Sequence, residues 1–187
     1  MQGHAARGPG PSVGGPEVTG PPPDAAPGEA IEGEVRAVLE GLGREYEVVA
    51  CDPAFADTAA FCERYGVEPE DSANTIVVAG KGVERTYVAC VVLATTRLDV
   101  NGVVRQRLGV RKASFASAEE TVERTGMMIG GVTVLALPDD MAVWVDARVM
   151  SRRSVVLGGG SRSMKIRVSP EVLLDLPAVE VVDGLAR

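Results

Sequence analysis

The chain has 187 residues, of which 45% are apolar, 24% charged and 4% aromatic, and its 26 acidic and 19 basic side chains give a net charge of −7. That length suits one domain with a tail and is ample for a hydrophobic core. No apolar run approaches the roughly 18–20 residues of a membrane span, and Met1-Gln2-Gly3-His4 lacks the charged and apolar regions of a secretory signal. Residues 1–30 hold seven Gly and seven Pro, too little burial potential to offset ordering entropy, so they read as a disordered tail. Residues 31–187 read as one Val-rich α/β domain.

In that domain Ile31, Val35, Val38, Leu39 and Leu42 form one helical stripe that stops at Gly43. Tyr46 to Cys51 reads as a strand, and Phe55 to Tyr65 as a helix closed by Gly66. The β-rich runs Asn74–Ala79 and Thr86–Ala94 read as a central hairpin. Asp99 is placed to cap a short helix with Val100, Val103, Val104 and Leu108 facing inward, ending at Gly109. Arg111 to Phe115 is a short strand, and Ser117 with Glu120 is the signature of a capping box for a helix ending at Thr125-Gly126. Strands are expected over Ala142–Val145 and Ser154–Leu157. Met164-Lys165-Ile166-Arg167-Val168 alternates like a strand with one wet face. Ser169-Pro170-Glu171 opens a final helix. The mixture of hairpins and interleaved helices predicts a mixed sheet.

The single histidine, His4, lies in the tail, so the folded part has no imidazole. This removes Ser-His-Asp and Cys-His mechanisms, zinc sites built on histidine and any histidine base. Cys51, Cys62 and Cys90 are odd in number and form no CxxC, which suits buried thiols in a reducing cytoplasm. Three segments remain as candidates for chemistry. Thr125 to Thr133 places Gly126, Gly130 and Gly131 where backbone amides could approach an oxygen, although glycine turns are also ordinary punctuation. Asp146 ends an apolar strand, either at a sheet-rim site or as a turn cap. Gly158-Gly159-Gly160 marks a close backbone contact or a flexible loop. Between Asp146 and Val168 six basic residues face one acid, and between Arg97 and Lys112 five face Asp99, so an acidic chain could still offer arginines to phosphate. No DNA-binding motif, Walker loop or GxGxxG is present.

Taken in order, several motifs resemble the YbaK family of aminoacyl-tRNA editing domains. They are Asp57-Thr58-Ala59-Ala60, the Asn74-Thr75-Ile76-Val77-Val78 strand, Arg97-Leu98-Asp99, Arg111-Lys112-Ala113-Ser114, Thr125-Gly126 with Gly130-Gly131-Val132-Thr133, Val145-Asp146 and Gly158-Gly159-Gly160. The resemblance covers about residues 31–180. It implies an α/β (α+β) fold with a strongly curved or barrel-like mixed sheet and flanking helices. The activity it implies is hydrolysis of the ester of a small mischarged amino acid on tRNA, with no metal and no cofactor. Water would be activated with help from a tRNA hydroxyl. In that scheme Gly130 and Gly131 present amides to the scissile carbonyl and Asp146 orients the amine or a water. Asn74, Thr133, Gly159 and Gly160 would bind substrate, and arginines of the 148–167 segment would face the acceptor stem. The expected partners are the tRNA acceptor end and a synthetase, with no DNA and no membrane, in the cytoplasm. Two departures stand out: Asn74 occupies a position where editing members typically carry lysine, and Val134 takes the place of a loop proline. These favour an alternative, a non-catalytic homologue that binds an aminoacyl-nucleotide, a tRNA end or a protein.

Overall fold

The computed structural model describes residues 27–82 and 84–187. Most of the predicted tail, His4 included, therefore lies outside the described residues. Its last part does not: helix α1 spans Pro27–Leu42, one turn earlier than the apolar stripe suggests. Proline suits a first helical turn, where its missing N–H is not needed. Ile31, Val35 and Leu39 are buried, and Gly43 ends the helix at φ +62°.

Among the described residues eight strands form two sheets. The first has the order β1 (Tyr46–Ala50), β7 (Met164–Val168), β6 (Val155–Gly158), all antiparallel. The second runs β4 (Lys112–Phe115), β2 (Ala73–Lys81), β3 (Arg85–Leu93), β5 (Ala142–Asp146), β8 (Val179–Val182). Its β2 pairs antiparallel with β3 and β4, while β3–β5 and β5–β8 are parallel. The sheet is mixed, as expected. A single parallel bridge between Ser72 and Val156 joins the two sheets.

Packing explains the sequence pattern. Along β3, Ala89, Val91 and Leu93 enter the main core between the sheets, together with Val143, Leu157, Ile166 and α1. The alternate residues Val88, Cys90 and Val92 enter a second core with Trp144, Val100, Val104 and Leu185. A strand buried on both faces must be apolar throughout, which is why Thr86–Ala94 reads as an unbroken run. The second core is covered by an irregular helix, a π turn over Val100–Val104 that continues as α3 (Arg105–Arg107). The Asp99 carboxylate accepts from Gly102 N at 3.1 Å, and a side chain at Gly102 would collide with it. The glycine is thus part of the cap. Helix α2 (Thr58–Tyr65) is shorter than expected, because Pro53–Phe55 forms a separate 3-10 turn. Helix α4 (Ala118–Thr125) carries both bonds of the Ser117–Glu120 capping box and ends at Gly126 with φ +69°.

Three readings need correction. The final helix is a 3-10 segment, Pro170–Asp175, capped by Ser169 as its sequence suggests. Strand β8 follows it; its short Val-Glu-Val-Val run was hidden behind that helix in the sequence reading. The face of β7 expected to be wet is so only at Arg167, which is partly exposed, since Lys165 is only 7% exposed. Among the described residues no helix is long and apolar enough to cross a membrane.

Candidate active site

At the seam between the sheets lies a cavity of about 340 Å³. Its walls are the start of β2 (Ser72–Val77), the first turn of α2 (Asp57, Thr58, Phe61), the loop 129–132, the end of β6 and Lys165 of β7. Phe115 stands at its mouth, 58% exposed. A second cavity of about 460 Å³ lies on the other side of α2, lined by Cys62, Val67 and Pro69 among others. Thr58 and Asn74 border both cavities, and Thr58 Oγ1 donates to Asn74 Oδ1 at 2.6 Å. This bond leaves the two N–H groups of the Asn74 amide for other partners. Thr75 Oγ1, also in the wall, is buried with no partner among the described residues.

The glycine loop is held by interlocking backbones. Met128 N donates to Gly160 O at 3.0 Å, Gly160 N to Gly131 O at 2.7 Å, and Gly131 N to Met128 O at 2.8 Å. Side chains at Gly131 or Gly158 would overlap the facing backbone of Ser161 or of Gly131 and Val132. Glycine is required on both sides because the two chains touch without room for a Cβ. Gly130 adopts φ +89° and lines the cavity, and its N–H has no acceptor among the described residues.

Two basic side chains brace this loop against the segment before α2. Arg162 donates to Pro53 O at 2.8 Å and to Ile129 O at 3.0 Å, and pairs with Asp57 at 3.4 Å. Lys165 Nζ donates to Ala56 O at 2.8 Å and to Gly130 O at 2.5 Å, and it sits 5.5 Å from the Phe61 ring centre. Burial pushes the Lys165 ammonium below the usual lysine range, and Arg162 adds to this; Cys51, Asp57 and Cys62 act in the opposite direction. The three cysteines are free and buried. Burial raises the Cys51 and Cys62 thiols and lifts Cys90 to about 12, so none is poised as a thiolate. Among the described residues no cluster of three His, Cys, Asp or Glu side chains could hold a metal ion.

Of the residues given a catalytic or substrate-binding role from sequence, the structure brings Asn74 and Gly130 to the cavity. The others stand elsewhere. Asp146 is 1% exposed, its Oδ1 accepting from Arg148 N at 3.0 Å and its Oδ2 from Ala186 N at 2.8 Å. It caps the short helix α5 (Ala147–Met150) and clamps the chain near Ala186, so it is no substrate-orienting group at this cavity. Gly131 has its amide committed to Met128, which removes it as a free donor. Thr133 is fully buried, with Oγ1 accepting from Leu135 N. Gly160 is bonded to the glycine loop and Gly159 packs on the backbone of Met164, to which its N–H donates; neither lines the cavity. Part of the basic stretches is spent on contacts within the protein. Arg152 pairs with Asp71, Arg167 with Glu47, Arg107 with Glu180, and Arg148 donates to Ala186 O.

Lys165 lines the cavity, and the local sequence pattern does not mark it. The alternation Met-Lys-Ile-Arg-Val is the same whether its polar face meets water or is roofed by a distant loop. One available signal was the glycine-rich segment just before it, which announces a backbone packed close by.

The chain is 29% identical over 139 residues to the uncharacterized protein YwhH of Bacillus subtilis strain 168, covering 74% of this chain and 86% of that one. The crystal structure of hypothetical protein APE2540 superposes with a TM-score of 0.72 at 26% identity, covering 80% of this chain and 97% of the other. A structure of a candidate trans-editing enzyme for prolyl tRNA synthetase shares the fold, with a TM-score of 0.70 at 24% identity, covering 82% and 95%. The family model described as the aminoacyl-tRNA editing domain matches residues 52–176, which span the cavity, the glycine loop and Lys165, and the chain therefore belongs to the aminoacyl-tRNA editing domain family.

Proposed function

We propose that this protein is a trans-acting aminoacyl-tRNA deacylase that hydrolyses the ester of a small mischarged amino acid. The carrying observation is the family match over the segments that build the cavity. A volume of about 340 Å³ is at the small end of ligand pockets and suits a small aminoacyl group. Water oxygen attacks the ester carbonyl carbon, the carbon–oxygen bond to the ribose breaks, and the ribose oxygen takes up a proton. Free amino acid and uncharged tRNA result. An ester is activated enough for orientation and stabilisation of the developing negative charge to suffice. The unpartnered Gly130 N–H supports a role in that stabilisation, with a tRNA hydroxyl assisting the water. Asn74 and exposed Phe115 at the mouth suit the terminal nucleotide, base against ring. Partnership with a synthetase and a cytoplasmic setting belong to the same proposal. The test is initial-rate deacylation on a panel of mischarged tRNAs; turnover on at least one is expected, and none above buffer hydrolysis overturns the proposal.

Neutral Asn74, where the family resemblance leads one to expect lysine, favours a second reading, a binder without turnover. Asn74→Lys separates the two. Deacylation that appears only in this variant would establish the binder, whereas the deacylase proposal expects turnover by the natural chain.

A further inference from the structure

Arg162 and Lys165 each tie a carbonyl of the 53–56 segment to a carbonyl of the glycine loop, but they differ in charge balance. Arg162 has Asp57 beside it. Lys165 has two carbonyl oxygens and no carboxylate within ion-pair distance among the described residues. A buried cation without a counter-ion is costly, and it is tolerated where a negative charge arrives with the ligand. An ammonium carries three N–H donors. Two are used by Ala56 and Gly130, and the side chain lines the cavity.

We infer that Lys165 is the cation of this active site: its third N–H binds the carbonyl oxygen of the aminoacyl ester and stabilises the negative charge formed there when water attacks. The carbonyl electron pair moves onto that oxygen as the new carbon–oxygen bond forms. It returns as the bond to the ribose breaks. The inference rests on the deacylase reading and deepens it. It also accounts for Asn74, because the charge missing from β2 is supplied by β7, on the other sheet, into the same cavity.

The test measures kcat and KM for the natural chain and Lys165→Met from pH 6.5 to 10, each corrected for hydrolysis in buffer. A loss in kcat of about 100-fold or more is expected for Lys165→Met, the size typical for a removed oxyanion donor, with KM within about threefold. A kcat within threefold of the natural chain overturns the inference while leaving the deacylase reading intact. In the natural chain kcat should fall on the alkaline side as the ammonium loses its proton. The titratable and charged groups facing Lys165 are Cys51 just after β1, Cys62 of α2, Asp57 and Arg162. The alkaline fall should therefore persist in a Cys51→Ala/Cys62→Ala variant, and its loss there overturns the inference. A corrected kcat that rises with pH identifies lysine as a base and also overturns it. If Lys165→Met does not fold, the pH profile of the natural chain decides alone. Absence of all turnover by the natural chain is a different result, since it overturns the deacylase reading itself.

Discussion

Replacing Asp146 by alanine removes two hydrogen bonds, the cap on α5 and the clamp on Ala186 N. A lost cap and an orphaned buried N–H together cost about 2 kcal/mol. Asp146→Ala should thus lower the urea midpoint while leaving kcat and KM of the folded fraction unchanged. A large fall in kcat without loss of stability would restore a catalytic role. The contrast with Lys165 is instructive about what sequence reveals at this scale. Both are charged residues on apolar strands, and both are buried. Which one meets the cavity is decided by partners 35 to 40 positions away, Gly130 and Ala186, and no local pattern encodes that choice. Asn74 and Gly130 were legible because family spacing and a glycine signal point at them directly. Gly131, Gly159 and Gly160 gave the same signal for a different reason, since their missing side chains make room for the backbones of Ser161 and Met164 and for the Ile31 side chain instead of ligand.

At the level of elements, helix α4 shows how a well-formed segment positions a loop. Its capping box fixes one end, and Gly126 releases the chain at the other, four residues before Gly130. Ser117→Ala should destabilise the protein by about 1 kcal/mol, read from chemical denaturation. It should also speed hydrogen exchange in the first turn of α4 with little change in kcat, because the glycine loop is held independently by Gly160 and Arg162. Elements with both a periodic stripe and end signals, α1, α4 and the β2–β3 hairpin, were readable from the chain. Three features were not. The π turn at Val100 depends on one side-chain bond to Gly102; β8 depends on a parallel neighbour, β5, that gives no local signal; the burial of Lys165 on β7 depends on its roof.

For the whole molecule, net charge and the two arginine-rich stretches point in opposite directions for RNA binding, and the structure shows why neither decides it. With Arg107, Arg148, Arg152, Arg162 and Arg167 engaged by acids or carbonyls, only a few basic side chains of these stretches, the exposed Arg97, Arg111, Lys112 and Arg153, are without an acid partner among the described residues and available to release counterions from an RNA surface. Affinity for tRNA, measured by fluorescence anisotropy between 50 and 400 mM salt, should fall with a log–log slope no steeper than about −3, corresponding to a few phosphates at the acceptor end. A steeper slope would reveal a broad basic footprint. The partition between the two cavities has a different consequence. Thr58 and Asn74 form a wall only one hydrogen bond thick between chambers of about 340 and 460 Å³. Neither residue belongs to the main core, so the wall can be redrawn by changing two side chains while the frame stays intact. Under the proposed deacylase function, the range of amino acids removed can therefore drift over evolutionary time independently of the fold, much as a lock is rekeyed without replacing the door.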